Sequence, residues 1–173
     1  METGSVAAVF RALNEAGVRY VVVGGLAVLA HGILRTTNDI DIVLDLGEEN
    51  VARATEALSA LGFQPLVPVP LSDLRRADRR RAWIEEKGAK VFHLFSDRHR
   101  TARVDIFLQE PFDLGEVLER ALREEVAPGV VVPFLGLDDL VAMKIEAGRP
   151  QDLVDAERLR LLGGPSDDPN GDG

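Results

Sequence analysis

From Asp39 to Leu44 the chain alternates acidic with aliphatic side chains and then runs wholly apolar, the period of a β-strand whose two faces differ. On such a strand Asp39 and Asp41 leave one face about 7 Å apart at the backbone, while Ile40, Ile42 and Leu44 point the other way, into a core. A slip of one residue would bury both acids, so the register of this strand is tightly specified. Upstream, residues 19–23 form a second predicted strand that Gly24-Gly25 breaks, and residues 26–31 read as a short helix closed by Gly32.

The remaining pattern places these two strands in a mixed α/β, or α+β, domain spanning residues 1–162. Val6, Phe10 and Leu13 recur at helical spacing and Gly17 stops them, which predicts a first helix over 5–16. Val51, Ala54, Leu58 and Leu61 share one face of a helix predicted over 48–61, ended by Gly62. A proline-rich link through Pro65, Pro68 and Pro70 leads to an arginine-rich stretch. Two neighbouring strands follow at 90–95 and 103–108, then a helix at 113–125 and a strand at Val130–Phe134. Helices at Leu137–Ala147 and 151–162 are separated by Gly148-Arg149-Pro150, and the Gly/Pro/Asp-rich tail from 163 to 173 is expected to be disordered.

Composition narrows the chemistry. With no cysteine in 173 residues, disulfides and thiolate zinc sites are excluded, and a reducing cytoplasm is the expected compartment. The longest apolar run, residues 20–30, falls short of the roughly 20 residues a membrane helix needs, and the N-terminus lacks a secretory pattern. A net charge of −9 disfavours broad, nonspecific binding to nucleic acid. Five arginines nevertheless cluster in 75–81 and three in 98–103, either as solvated faces or as a local surface for anionic oxygens.

Two neighbouring carboxylates repel by roughly 1 to 4 kcal/mol at 4 Å, depending on the effective dielectric, and a divalent cation would reverse the sign. Asp105, alone among Val104, Ile106, Phe107 and Leu108, also calls for a partner. If its strand lies beside that of Asp39 and Asp41, three carboxylates surround one site, and oxygen-only ligation of this kind suits Mg2+ or Mn2+ shared with substrate phosphates. Gly24-Gly25 would let backbone approach a phosphate closely. The other standard phosphate loops do not occur in the sequence.

These residues together resemble a known family. Val22-Val23-Gly24-Gly25-Leu26-Ala27, then His31-Gly32, Arg35, Thr37 and Asp39-Ile40-Asp41-Ile42, are similar to the signature of the polymerase-beta-like nucleotidyltransferase superfamily, with Asp105 matching its third acid. Ala142-Met143-Lys144, Gly148-Arg149-Pro150 and Asp152-Leu153 with Asp155 resemble the C-terminal motif of bacterial minimal members, including toxins of abortive-infection and toxin–antitoxin loci. The resemblance implies a nucleotidyltransferase-like mixed sheet packed by helices, with a short C-terminal helical portion. It also implies transfer of a nucleoside monophosphate from an NTP to a hydroxyl of an RNA, protein or small-molecule acceptor, with a cognate antitoxin as a possible partner. Asp39 and Asp41 would hold the metal ions with the triphosphate, and Asp105 would complete the site and help deprotonate the acceptor. Gly24 and Gly25 would contact the nucleotide, with Lys144 and Arg35 meeting phosphate. Many relatives carry Ser or Thr directly after the glycines; this chain has Leu26, which leaves the backbone N–H groups to bind.

Each of these residues also has a structural reading. Asp39 and Asp41 could cap a solvated edge, Asp105 could pair with Arg103, and His31 reads as a packing residue. Asp152 and Asp155 lie where acids stabilise a helix start without chemistry. Two other functions stay open: a nucleotide-binding or protein-interaction module of the same fold with little turnover, and an aminoglycoside-type transferase suited to the acidic body.

Overall fold

The computed structural model describes residues 3–163, so the tail expected to be disordered lies, beyond Gly163 itself, outside the described residues. Helix α1 (Thr3–Glu15) buries Val9, Phe10 and Leu13 completely and delivers the chain to β1 (Tyr20–Val23), every residue of which is buried. Next come α2 (Gly24–Ala30), β2 (Asp39–Leu44) and α3 (Glu48–Ala60). The middle of the chain forms β3 (Phe63–Pro65), a 3-10 turn at Leu71–Arg75, α4 (Ala77–Lys87), β4 (Val91–Ser96) and β5 (Arg103–Phe107). The last third is α5 (Leu114–Glu119), β6 (Leu122–Ala127), β7 (Val130–Phe134), α6 (Leu137–Ala147) and α7 (Pro150–Leu162).

The seven strands found among the described residues join one mixed sheet in the order β3-β4-β5-β2-β1-β7-β6. Strand β2 runs antiparallel to β1 and parallel to β5, which is the arrangement that decides the site. Ile40, Ile42, Val104 and Ile106 are fully buried on one face of the β2–β5 pair, as the alternation requires. The burial of all four fixes the register: each would move to the opposite face on a one-residue slip.

Three expectations are corrected. The helix predicted over 113–125 ends at Glu119, and β6 follows as an edge strand paired antiparallel to β7. Its Arg123, Glu124 and Glu125 favour a helix locally, but the Pro128-Gly129 turn brings the segment back on β7, and ladder pairing outweighs the propensity. Gly129, at φ +75°, donates its N–H to Glu125 Oε1 at 2.8 Å and closes that turn. The second correction is at 63–65, read as the beginning of a proline link but found as a short edge strand, a position where Pro65 is tolerated. Helix α2 also starts two residues earlier than expected, at Gly24 itself.

Candidate active site

The register brings the sequence-predicted acids together. Asp41 of β2 lies opposite Asp105 of β5 in the parallel pair and opposite Val23 of β1 in the antiparallel pair, so it faces the point where β1 turns into α2. Gly24 makes that turn at φ +67°, and a Cβ placed on it would fall 2.2 Å from Asp41 Oδ2. Any larger residue would expel the carboxylate. Gly25 is similarly confined, since its Cβ would meet the Thr37 side chain at 2.9 Å and Arg35 Nε at 3.3 Å. The paired glycines are therefore cut to fit the acid and the loop that carries Arg35 and Thr37.

Burial, with repulsion between the acids added to it, raises the proton affinities of Asp41 and Asp105. Burial, followed by the charges of Asp105 and Asp39, pushes the Asp41 carboxyl up to about 7, with Lys144 and Arg35 opposing. Burial likewise raises Asp105, while the hydrogen bond and charge of His93 and the charge of Arg103 pull it down. Asp39 Oδ1 is buried without a hydrogen-bond partner, although Arg103 Nε forms an ion pair with it at 3.4 Å. Hard oxygen donors that repel one another, one of them an unsatisfied buried atom, have the chemistry that a magnesium-like cation fits. Among the described residues no three His, Asp or Glu side chains are already arranged to hold a metal, so the acids stand as repelling neighbours and not as a closed cage.

Behind Asp41 lies a buried ion-pair network. Asp155 of α7, with no exposed side-chain surface, pairs with Arg35 and, at 3.2 Å, with Lys144 of α6. Lys144 also reaches Asp152 Oδ1 at 3.1 Å, and Arg149 holds the other oxygen of Asp152 at 2.6 Å. Arg35 and Lys144, expected to meet phosphate, thus have their head groups engaged by acids, yet both act on Asp41 electrostatically. Asp152 lies in the first turn of α7, where an acid was expected, and both Asp152 and Asp155 are in addition buried ion-pair partners.

Other residues fall where chemistry or packing puts them. His31 Nε2 lies 2.8 Å from the Leu135 carbonyl oxygen, the packing role expected of it. Within the arginine cluster, Arg80 is buried and donates to the carbonyls of Leu74 and Leu46 at 2.7 and 3.3 Å, while Arg76 and Arg79 pair with Asp78 and Asp73. Asp105 pairs with His93 at 2.6 Å and not with Arg103, which goes to Asp39. Sequence reasoning missed His93; the signal lay in the alternation of β4, but only the length of the β4–β5 turn sets it opposite Asp105.

The fold is shared with solved structures of known proteins. The lincosamide antibiotic adenylyltransferase LnuA, solved with lincomycin bound, aligns with a TM-score of 0.60 at 13% identity over 94% of this chain and 98% of its own. The antibiotic-resistance factor ANT(2'')-Ia aligns with a TM-score of 0.58 at 13% identity in its solution structure, over 93% of this chain and 83% of its own. Its crystal structure with adenylyl-2''-tobramycin aligns at 14% identity, again with a TM-score of 0.58, over 93% and 88% of the two chains. The fold is thus that of a nucleotidyltransferase. No curated protein matches the chain in sequence. The model of the AbiEii nucleotidyltransferase toxins of type IV toxin–antitoxin systems matches residues 8–168, and the chain belongs to that family.

Proposed function

We propose that this protein transfers a nucleoside monophosphate from an NTP to an acceptor hydroxyl in a divalent-cation-dependent reaction, and that it does so in the cytoplasm as the toxin of a two-gene system. The observation that carries this reading is the register of β2 with β5, which sets Asp41 opposite Asp105, with Asp39 on the same strand and Gly24 against the Asp41 carboxylate. In the reaction the acceptor oxygen attacks the α-phosphorus, the bond from that phosphorus to the bridging oxygen breaks, and pyrophosphate leaves. Asp105 takes the acceptor proton. Asp39 and Asp41 would hold magnesium or manganese, which when bound would neutralise charge on the phosphates. Gly24 leaves room beside Asp41 and Gly25 beside Thr37 and Arg35, while Arg35 and Lys144 lend positive charge from behind and fasten α6 and α7 to the site.

Family membership supports nucleotidyl transfer and makes an antitoxin a reasonable partner. The acceptor class is the part to be found by experiment. Each α-labelled NTP is incubated with the protein, Mg2+ and a total cell extract, and the extract is divided into RNA, protein and small-molecule fractions. Label in one fraction names the acceptor. NTP binding without label in any fraction would make the chain a nucleotide-binding module instead.

A further inference from the structure

The β4–β5 pair carries a contact that the transfer mechanism above leaves unused. His93 is the antiparallel partner of Asp105, and its Nδ1 lies 2.6 Å from Asp105 Oδ1. A carboxylate offers only lone pairs, so when Asp105 is ionised Nδ1 must donate, and the neutral ring keeps its lone pair on Nε2. The backbone of His93 is held on both sides, by the β5 ladder and by the Leu66 N–H, which donates to its carbonyl at 3.0 Å. The ring is 42% exposed and lines a cleft of about 450 Å3 together with Arg103, Arg100 and Asp97. A side chain so open contributes little to the core, yet it grips the most buried of the three acids.

We propose that His93 is the positioning residue for Asp105: its Nδ1–H fixes Oδ1 and thereby leaves Oδ2 to take the proton of the acceptor hydroxyl. The inference rests on the transfer reading, and in it His93 acts through Asp105 without touching the acceptor or the nucleotide. Loss of such an outer partner typically lowers activity about 10- to 100-fold.

Two measurements on the full chain test it. The first is the tautomer of His93, read from long-range nitrogen–proton spectra of the labelled protein at neutral pH. Protonated Nδ1 that is lost in Asp105→Ala supports the proposal; protonated Nε2, unchanged in that variant, overturns it. The second is the rate of label transfer from α-labelled ATP into total cell extract. His93→Ala should fall about 10-fold or more with an unchanged melting temperature and an unchanged KM for ATP. His93→Asn, whose amide N–H can stand in for Nδ1–H, should recover most of that loss. Equal rates for parent and His93→Ala, or no rescue by a folded His93→Asn, refute the role of His93 alone. A parent chain that labels nothing from any α-labelled NTP removes the transfer reading and the proposal with it.

Discussion

Replacing Asp41 by Asn should make the cation-free protein more stable at pH 8 while abolishing transfer. The carboxyl is held at about 7 instead of 3.8 by burial and by Asp105 and Asp39. Because the folded state holds this proton more tightly than the unfolded chain, the group favours folding most below about pH 4. Its contribution is lost as pH rises toward 7 and is level above that. The gap corresponds to about 4 kcal/mol as an upper limit, and relaxation and water at a partly open carboxylate reduce this to about 2 kcal/mol. For a chain of this length that is about 4–8 °C in Tm. Thermal melts of parent and Asp41→Asn without divalent ions at pH 5 and pH 8 measure it. The variant should gain on the parent as pH rises, and millimolar Mg2+ at pH 8 should raise the parent's Tm but not the variant's. A difference between the two proteins that does not change with pH would refute the claim that burial and the neighbouring acids hold a proton on Asp41.

Gly24→Ala should cost about 1–2 kcal/mol for its left-handed backbone and lose nearly all transfer, because its Cβ displaces the Asp41 carboxylate; urea melts and the labelling rate measure the two effects, and an active Ala variant would contradict the packing. Asp155→Ala leaves Lys144 buried without one of its partners and should destabilise by about 3–5 kcal/mol; a loss below about 1 kcal/mol by urea titration would mean that the network does not fasten α6 and α7.

Much of the fold was legible because its central strands carry their own register. The alternation of Asp39, Ile40, Asp41 and Ile42 fixed which face carries the acids, and the glycines upstream marked the turn beside it, whereas the partner strands β1 and β5 came from the structure. What escaped depends on pairing across the chain. The helical residues of 122–127 fold as a strand because β7 is available to them, and Phe63–Pro65 is a strand only by virtue of β4. Within the site, the acids were readable one by one. The partners were not: His93, and the pairing of Asp155 with both Arg35 and Lys144, bring together residues 12, 120 and 11 apart in sequence, and no local pattern encodes those meetings.

The central claim, that Asp39, Asp41 and Asp105 form one nucleotidyl-transfer centre, is tested most directly by where the label starts. ATP labelled at the α-phosphate and ATP labelled at the γ-phosphate are each incubated with extract and Mg2+, using the parent, Asp39→Ala and Asp41→Ala. The expected result is transfer of the α-label by the parent alone, with none from the γ-position and none when the cation is chelated. Transfer of γ-label, or α-label transferred equally well by both alanine variants, would contradict it.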